Sequence, residues 1–115
     1  MLDAEDVYIG QLAGLYEALN AGVTTILDHA HALWSDDAAN AGLTASIDSG
    51  ARVFYAYTFH SLETGRTLAK QLENFEAIVR NASYEGTPTT LSVAYDSFST
   101  PSAASDTQTV IEVIK

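Results

Sequence analysis

The sequence predicts an α/β fold in which parallel strands alternate with helices. Three observations carry this. The run Ala21-Gly22-Val23-Thr24-Thr25-Ile26-Leu27-Asp28-His29 passes from a helix stop directly into a β-branched stretch that ends in acid and imidazole groups. Strand-like runs begin near positions 23, 52 and 90, far enough apart for successive βαβ units of ~30 residues or more. Helical periodicity fills the intervals between them. In α/β proteins chemistry collects where such strands end, at their C-terminal edge.

The elements follow in order. Asp3 or Asp6 caps a first helix, and acids suit its first turn. Leu12, Leu15, Tyr16 and Leu19 mark one face of it, and Gly22 stops it. Val23 to Leu27 is apolar on both faces, which predicts a strand buried on both sides. Asp36 or Asp37 caps a second helix carrying Ala39, Leu43 and Ile47, and Gly50 ends it. Arg52 to Phe59 reads as an aromatic strand running into His60. A long third helix places Leu68, Leu72, Phe75 and Val79 on one face. Gly86 and Pro88 break the chain before a strand from Thr90 to Tyr95, which ends at Asp96. Ser99 to Ser105 reads as a loop, and a last helix opens near Ser105 or Asp106 with Val110, Ile111, Val113 and Ile114.

Composition narrows the classes. Fifteen acidic residues against five Lys and Arg give a net charge of −10. Nucleic acid and anionic membrane both demand basic patches, so neither is an expected partner. With 47% hydrophobic and 17% charged residues the chain is globular. It has no cysteine, hence neither disulfide nor thiolate metal site. No apolar run approaches the ~20 residues of a membrane span. The start, Met1-Leu2-Asp3-Ala4-Glu5-Asp6, lacks the basic and apolar regions of a signal peptide, so a cytoplasmic location is expected.

Two architectures fit: a small open three-layer sheet, or an arc of a TIM-like (β/α)8 barrel. A full barrel needs ~250 residues, against 115 here. Three strands alone leave two apolar edges, which soluble proteins rarely tolerate. The first helix has no strand before it, and the last run stops while still apolar. Residues 1–115 therefore read as one partial barrel domain, a fragment of a larger fold.

The run Glu17-Ala18-Leu19-Asn20-Ala21-Gly22-Val23-Thr24-Thr25-Ile26-Leu27-Asp28-His29 resembles the metal-dependent amidohydrolase superfamily. It looks most like the cytosine-deaminase-like and chlorohydrolase-like branch, whose second barrel strand carries such a stretch. Asp48-Ser49-Gly50-Ala51-Arg52-Val53-Phe54 is similar to the entry to the third strand, and Leu91-Ser92-Val93-Ala94-Tyr95-Asp96-Ser97-Phe98 to the fourth. The resemblance implies a chain covering about strands two to four. It also implies one or two divalent metals, zinc or iron, and hydrolysis of non-peptide C–N bonds of a small-molecule substrate. The family's ligands follow strands one, five, six and eight, and no position here matches them. The chain alone is expected to be inactive and to hold less than one equivalent of zinc.

The candidate site residues are His29, His31, His60, Asp96 and Asp28, lining the C-terminal rim of the strands. His29-Ala30-His31 has the spacing that sets two imidazoles on one side of an extended strand end. Read sharply, the two histidines are a metal pair. Against this, the helix and AGVTT before them belong to the second strand in the family. Pocket-lining histidines and plain loop histidines are the other readings. Asp28 can orient His29 or a ligand, or serve as a helix-facing hydrogen-bond partner. Asp96 can face the same rim or cap its loop. Tyr55, Tyr57 and Phe59 share one strand face and pack either a substrate ring or the interior. Trp34 covers the pocket mouth or anchors its loop. No Ser-His-Asp arrangement, cysteine nucleophile or phosphate loop can be assembled.

A reading from another class makes the chain a non-catalytic half-barrel module that self-associates through its open strand edges or pairs with a complementary chain. A stand-alone flavodoxin-like binder is a third, disfavoured by the absence of an initial strand and a phosphate loop.

Overall fold

The structure, a computed structural model, describes residues 3–59, 66–96 and 103–114. Its elements alternate as α1 (Ala4–Asn20), β1 (Thr25–Ala30), α2 (Asp36–Ser49), β2 (Arg52–Phe59), α3 (Leu68–Asn81), β3 (Thr89–Tyr95) and α4 (Ala103–Ile114). The three strands form one parallel sheet in the order β1-β2-β3. This is the α/β alternation the sequence predicts. Parallel neighbours need crossover helices, and crossovers of one hand between strands in sequential order lay every helix on the same face.

Contacts on the two faces bear this out. On the helix face, Tyr55 donates to the Ala39 carbonyl of α2 at 3.0 Å, and Tyr57 to Asn74 Oδ1 of α3 at 2.7 Å. Ile26, Asp28 and Ala30 of β1 pair in register with Val53, Tyr55 and Tyr57 and share that face. Thr89, Leu91, Val93 and Tyr95 of β3 pair with Val53, Tyr55, Tyr57 and Phe59 and complete it. The rings of Tyr57, Phe59 and Phe75 meet at 5.0–5.5 Å, in the offset and edge-on arrangements that aromatic pairs prefer. Val110 of α4 joins the same core. The other face of the sheet carries no described helix.

That one-sidedness corrects an expectation. The first strand was expected to be buried on both faces, yet Leu27 is 73% exposed, and Val23, just before the strand, is also exposed. Both faces of a parallel strand are covered only where helices lie on both sides or a barrel closes. Here no described helix lies on one side.

Local details follow from capping chemistry. Asp3 caps α1 and exchanges hydrogen bonds with Asp6 in a capping box. Past its end, Gly22 takes φ 92°, the left-handed turn that glycine adopts without a Cβ penalty. α2 is capped by Ser35, whose hydroxyl accepts from the Ala38 N–H at 3.0 Å; Asp36 and Asp37, expected as caps, occupy its first turn instead. Gly50 is its C-cap. On α3 the buried stripe is Gln71, Asn74, Phe75 and Ile78, while Val79 is exposed. Leu68, Leu72 and Phe75 of the expected face do pack against the core, and the buried stripe widens to Asn74, which satisfies the Tyr57 hydroxyl, and Gln71, which donates to the Arg66 carbonyl. α4 begins at Ala103, two residues before the expected Ser105.

Gly42 of α2 lets that helix approach β2. A Cβ there would lie 2.8 Å from the Tyr55 hydroxyl, and Tyr55 is buried and held by Ala39. Overpacking of this kind costs ~1–3 kcal/mol, against a helix-propensity gain of ~1 kcal/mol. Gly42→Ala should therefore lower stability by about 1 kcal/mol in urea denaturation. In a Tyr55→Phe background, where the blocking hydroxyl is gone, the same change should be neutral or stabilising. A more stable single variant would contradict this packing.

Candidate functional site

Alternation along the strands decides which side chains reach the bare face. Thr25, Leu27 and His29 of β1 stand there, aligned with Arg52, Phe54 and Ala56 of β2. Thr90, Ser92 and Ala94 of β3 continue the rows. His31 and Asp96 lie just past the ends of β1 and β3, two residues on from Ala30's neighbour His29 and from Ala94 respectively. Both keep the parity that points to this face.

There the three side chains meet. His29 Nε2 lies 3.0 Å from Asp96 Oδ1, and His31 Nε2 lies 3.0 Å from Asp96 Oδ2. The two imidazoles stack with centroids 4.6 Å apart and planes 1° from parallel. One ligand atom from each residue falls within a sphere of contacts no longer than 4.8 Å. The histidines come from one outer strand and the aspartate from the other, across β2. The middle strand permits this because Ala56 and Thr58 are its residues on that face at that level. A larger side chain there would separate the two edges.

The cluster is open to solvent, with side chains 45%, 59% and 43% exposed for His29, His31 and Asp96. The His31 hydrogen bond, joined by His29, holds the Asp96 carboxyl below its ordinary range. The carboxylate form is thus the one the histidines favour. Two imidazole nitrogens and a carboxylate oxygen are the donor set of several zinc sites, and with open positions also of non-haem iron. Among the described residues this is the one group of three that can hold a metal ion. The donors suit a divalent cation of the zinc type, which would take the place of the contacts between the two Nε2 atoms and Asp96.

The other candidates fall elsewhere. Asp28 points to the opposite face, where Gln11 Nε2 donates to it at 2.6 Å and also reaches Ser46 Oγ at 3.2 Å. It belongs to the α1–α2–β1 packing and does not join the rim cluster. His60 lies outside the described residues. Tyr55, Tyr57 and Phe59 face the helices and fill the interior. Trp34 is half-buried in the loop after β1.

A polar network behind the rim carries no periodic signal in the sequence. Arg66, buried just before α3, donates to Asp36 at 2.6 Å and to the Tyr57 hydroxyl at 3.2 Å. Asn74 accepts from Tyr57 and donates to Asn40 at 3.3 Å. The network ties the first half of α2 to Arg66 and to Asn74 of α3. The tyrosine–arginine pairing is a tertiary event that no spacing announces.

Comparison of the chain with protein-family models, curated proteins and solved structures finds no match. No helix among the described residues is long and apolar enough to cross a membrane.

Burial pushes the Asp28 carboxyl above its ordinary 3.8, and the Gln11 hydrogen bond and the nearby histidines offset this only in part. The folded chain then holds that proton more tightly than the unfolded chain. Asp28 consequently costs stability as pH rises from 3.8 through the raised folded value. Asp28→Asn keeps an acceptor for Gln11 and removes the charge. Its thermal midpoint should exceed the parent's at pH 7, with the gap closing toward pH 3. A variant less stable than the parent at pH 7 would show the charge to be favourable.

Proposed function

We propose that this chain is an arc of an amidohydrolase-related (β/α) barrel whose full-length relative is a cytoplasmic metal-dependent hydrolase of non-peptide C–N bonds in small molecules, with His29, His31 and Asp96 on the strand-end rim of that arc and the chain inactive alone. The observation that carries the reading is the convergence of His29, His31 and Asp96 at the C-terminal end of a parallel sheet. That is where α/β folds place their chemistry. The sequential strand order, with helices on one face, supports a barrel arc, since a barrel keeps its helices outside and its site on the strand ends.

In this reading His29 and His31 each offer Nε2 and Asp96 offers a carboxylate oxygen. A bound divalent cation supplies Lewis acidity toward water and toward the bond being broken. Asp96, favoured as the anion by both histidines, supplies the negative charge that attracts the cation. Held by protein from one side only, three ligands would leave room for water and substrate. They also bind weakly alone, because the three side chains stand about half exposed. The site is complete only when the bare face is covered.

The test is a zinc titration followed through the imidazole nitrogens by NMR. The Nε2 signals of His29 and His31 should move together, and Asp96→Ala should weaken binding about tenfold or more. Zinc that leaves both signals in place would contradict the assignment. Turnover of an amide or aminopyrimidine by the 115-residue chain alone would contradict its being an incomplete site.

A further inference from the structure

We infer that the outer edge of β1 docks a basic extended segment of a partner chain, which pairs with the strand and sets a lysine or arginine side chain against Asp28. The inference goes beyond the metal reading and is independent of it, because Asp28 stands on the helix side of β1 and His29 on the other.

The strand edge supplies the first observation. β1 is an end strand of the sheet and pairs only with β2 among the described residues. One row of its backbone N–H and C=O groups therefore faces outward, and such a row is a template for another strand. Beside it, between α1 and β1, runs a groove of about 230 Å3. Gly10, Gln11, Gly14 and Ala18 line it on the helix, with Ile26 and Asp28 on the strand. A Cβ at Gly10 or at Gly14 would meet nothing within 4 Å. Glycine inside a helix weakens it, and no described neighbour requires either glycine. Both keep α1 thin over the place that a strand next to β1 would occupy, ~4.8 Å away.

Charge names the occupant. The groove holds the Asp28 carboxylate, and Gln11 Nε2 donates to its Oδ2 at 2.6 Å. Oδ1 has no donor among the described residues, and no described Lys or Arg pairs with this carboxylate. An ammonium or guanidinium group entering the groove supplies both the missing donor and the opposite charge. A second copy of the chain does not supply it through its strands, because neither edge strand, TILDHA or TTLSVAY, contains Lys or Arg. The net charge of −10 also repels a second copy and attracts a basic segment.

NMR titration of the 115-residue chain with blocked peptides tests this. The probe is as long as β1, six residues, and is built of valine and threonine with one central lysine. It should shift the β1 amides and slow their hydrogen exchange. Norleucine in place of the lysine should weaken binding about tenfold, and Asp28→Asn should bind the two peptides alike. Gly14→Leu, whose side chain enters open space, should keep the folded spectrum and abolish binding. A probe methylated on the backbone nitrogens of its pairing edge should not bind. A lysine preference that persists in Asp28→Asn would place the peptide on the acidic surface at large and overturn the inference. Binding of the methylated probe, no binding of the parent probe, or β1 amides already protected by a second copy would overturn it too. n-Butylamine that binds at Asp28 as tightly as the peptide would make the groove a small-amine site instead. Zinc shifts at His29 and His31 report the metal reading separately, so each reading can fail without the other.

Discussion

Everything in this molecule is arranged by the central strand β2. Its odd residues, Val53, Tyr55, Tyr57 and Phe59, are fully or almost fully buried against the helices. Its even residues toward the rim, Ala56 and Thr58, are small. The first set anchors α2 and α3 through two tyrosine hydroxyls and an aromatic cluster around Phe75. The second set clears a passage over the middle of the sheet. Because parallel pairing fixes parity across strands, one choice of register on β2 both builds the core and lets an aspartate on one edge reach two histidines on the other.

The two faces consequently have different chemistry. The helix face gives several of its polar groups specific partners. Asp28 has Gln11, Tyr55 has the Ala39 carbonyl, and Tyr57 is shared by Asn74 and Arg66. Such networks are rigid because an unpaired member in a low-dielectric setting is costly. On the other face His29, His31 and Asp96 stand partly exposed, where the stacked histidine pair can exchange its contact with Asp96 for a metal. Rigidity behind and accessibility in front is the arrangement a ligand site needs.

Much of this was legible in the chain. The order of elements, the glycine after α1, the strand from Arg52 to Phe59 and the placement of His29, His31 and Asp96 on one rim all follow from local pattern and parity. Aromatics at 55, 57 and 59 with Ala56 and Thr58 between them already separate a core face from a thin one. What could not be read was tertiary. Asp28 and His29 are adjacent in sequence and seemed to belong to one site, yet alternation sends them to opposite faces. The buried stripe of α3 widens to Asn74 and Gln71, which partner the Tyr57 hydroxyl and the Arg66 carbonyl, a demand created outside the helix. The bareness of one sheet face depends on the side every crossover takes, which no single segment encodes.

The central claim is that His29, His31 and Asp96 form a cation site, as distinct from an acidic surface that collects cations anywhere. X-ray absorption at the zinc edge of the loaded protein decides between them. The account predicts a nitrogen and oxygen shell with the outer-shell scattering of at least two imidazoles. A shell of carboxylate and water oxygens without imidazole scattering would contradict it.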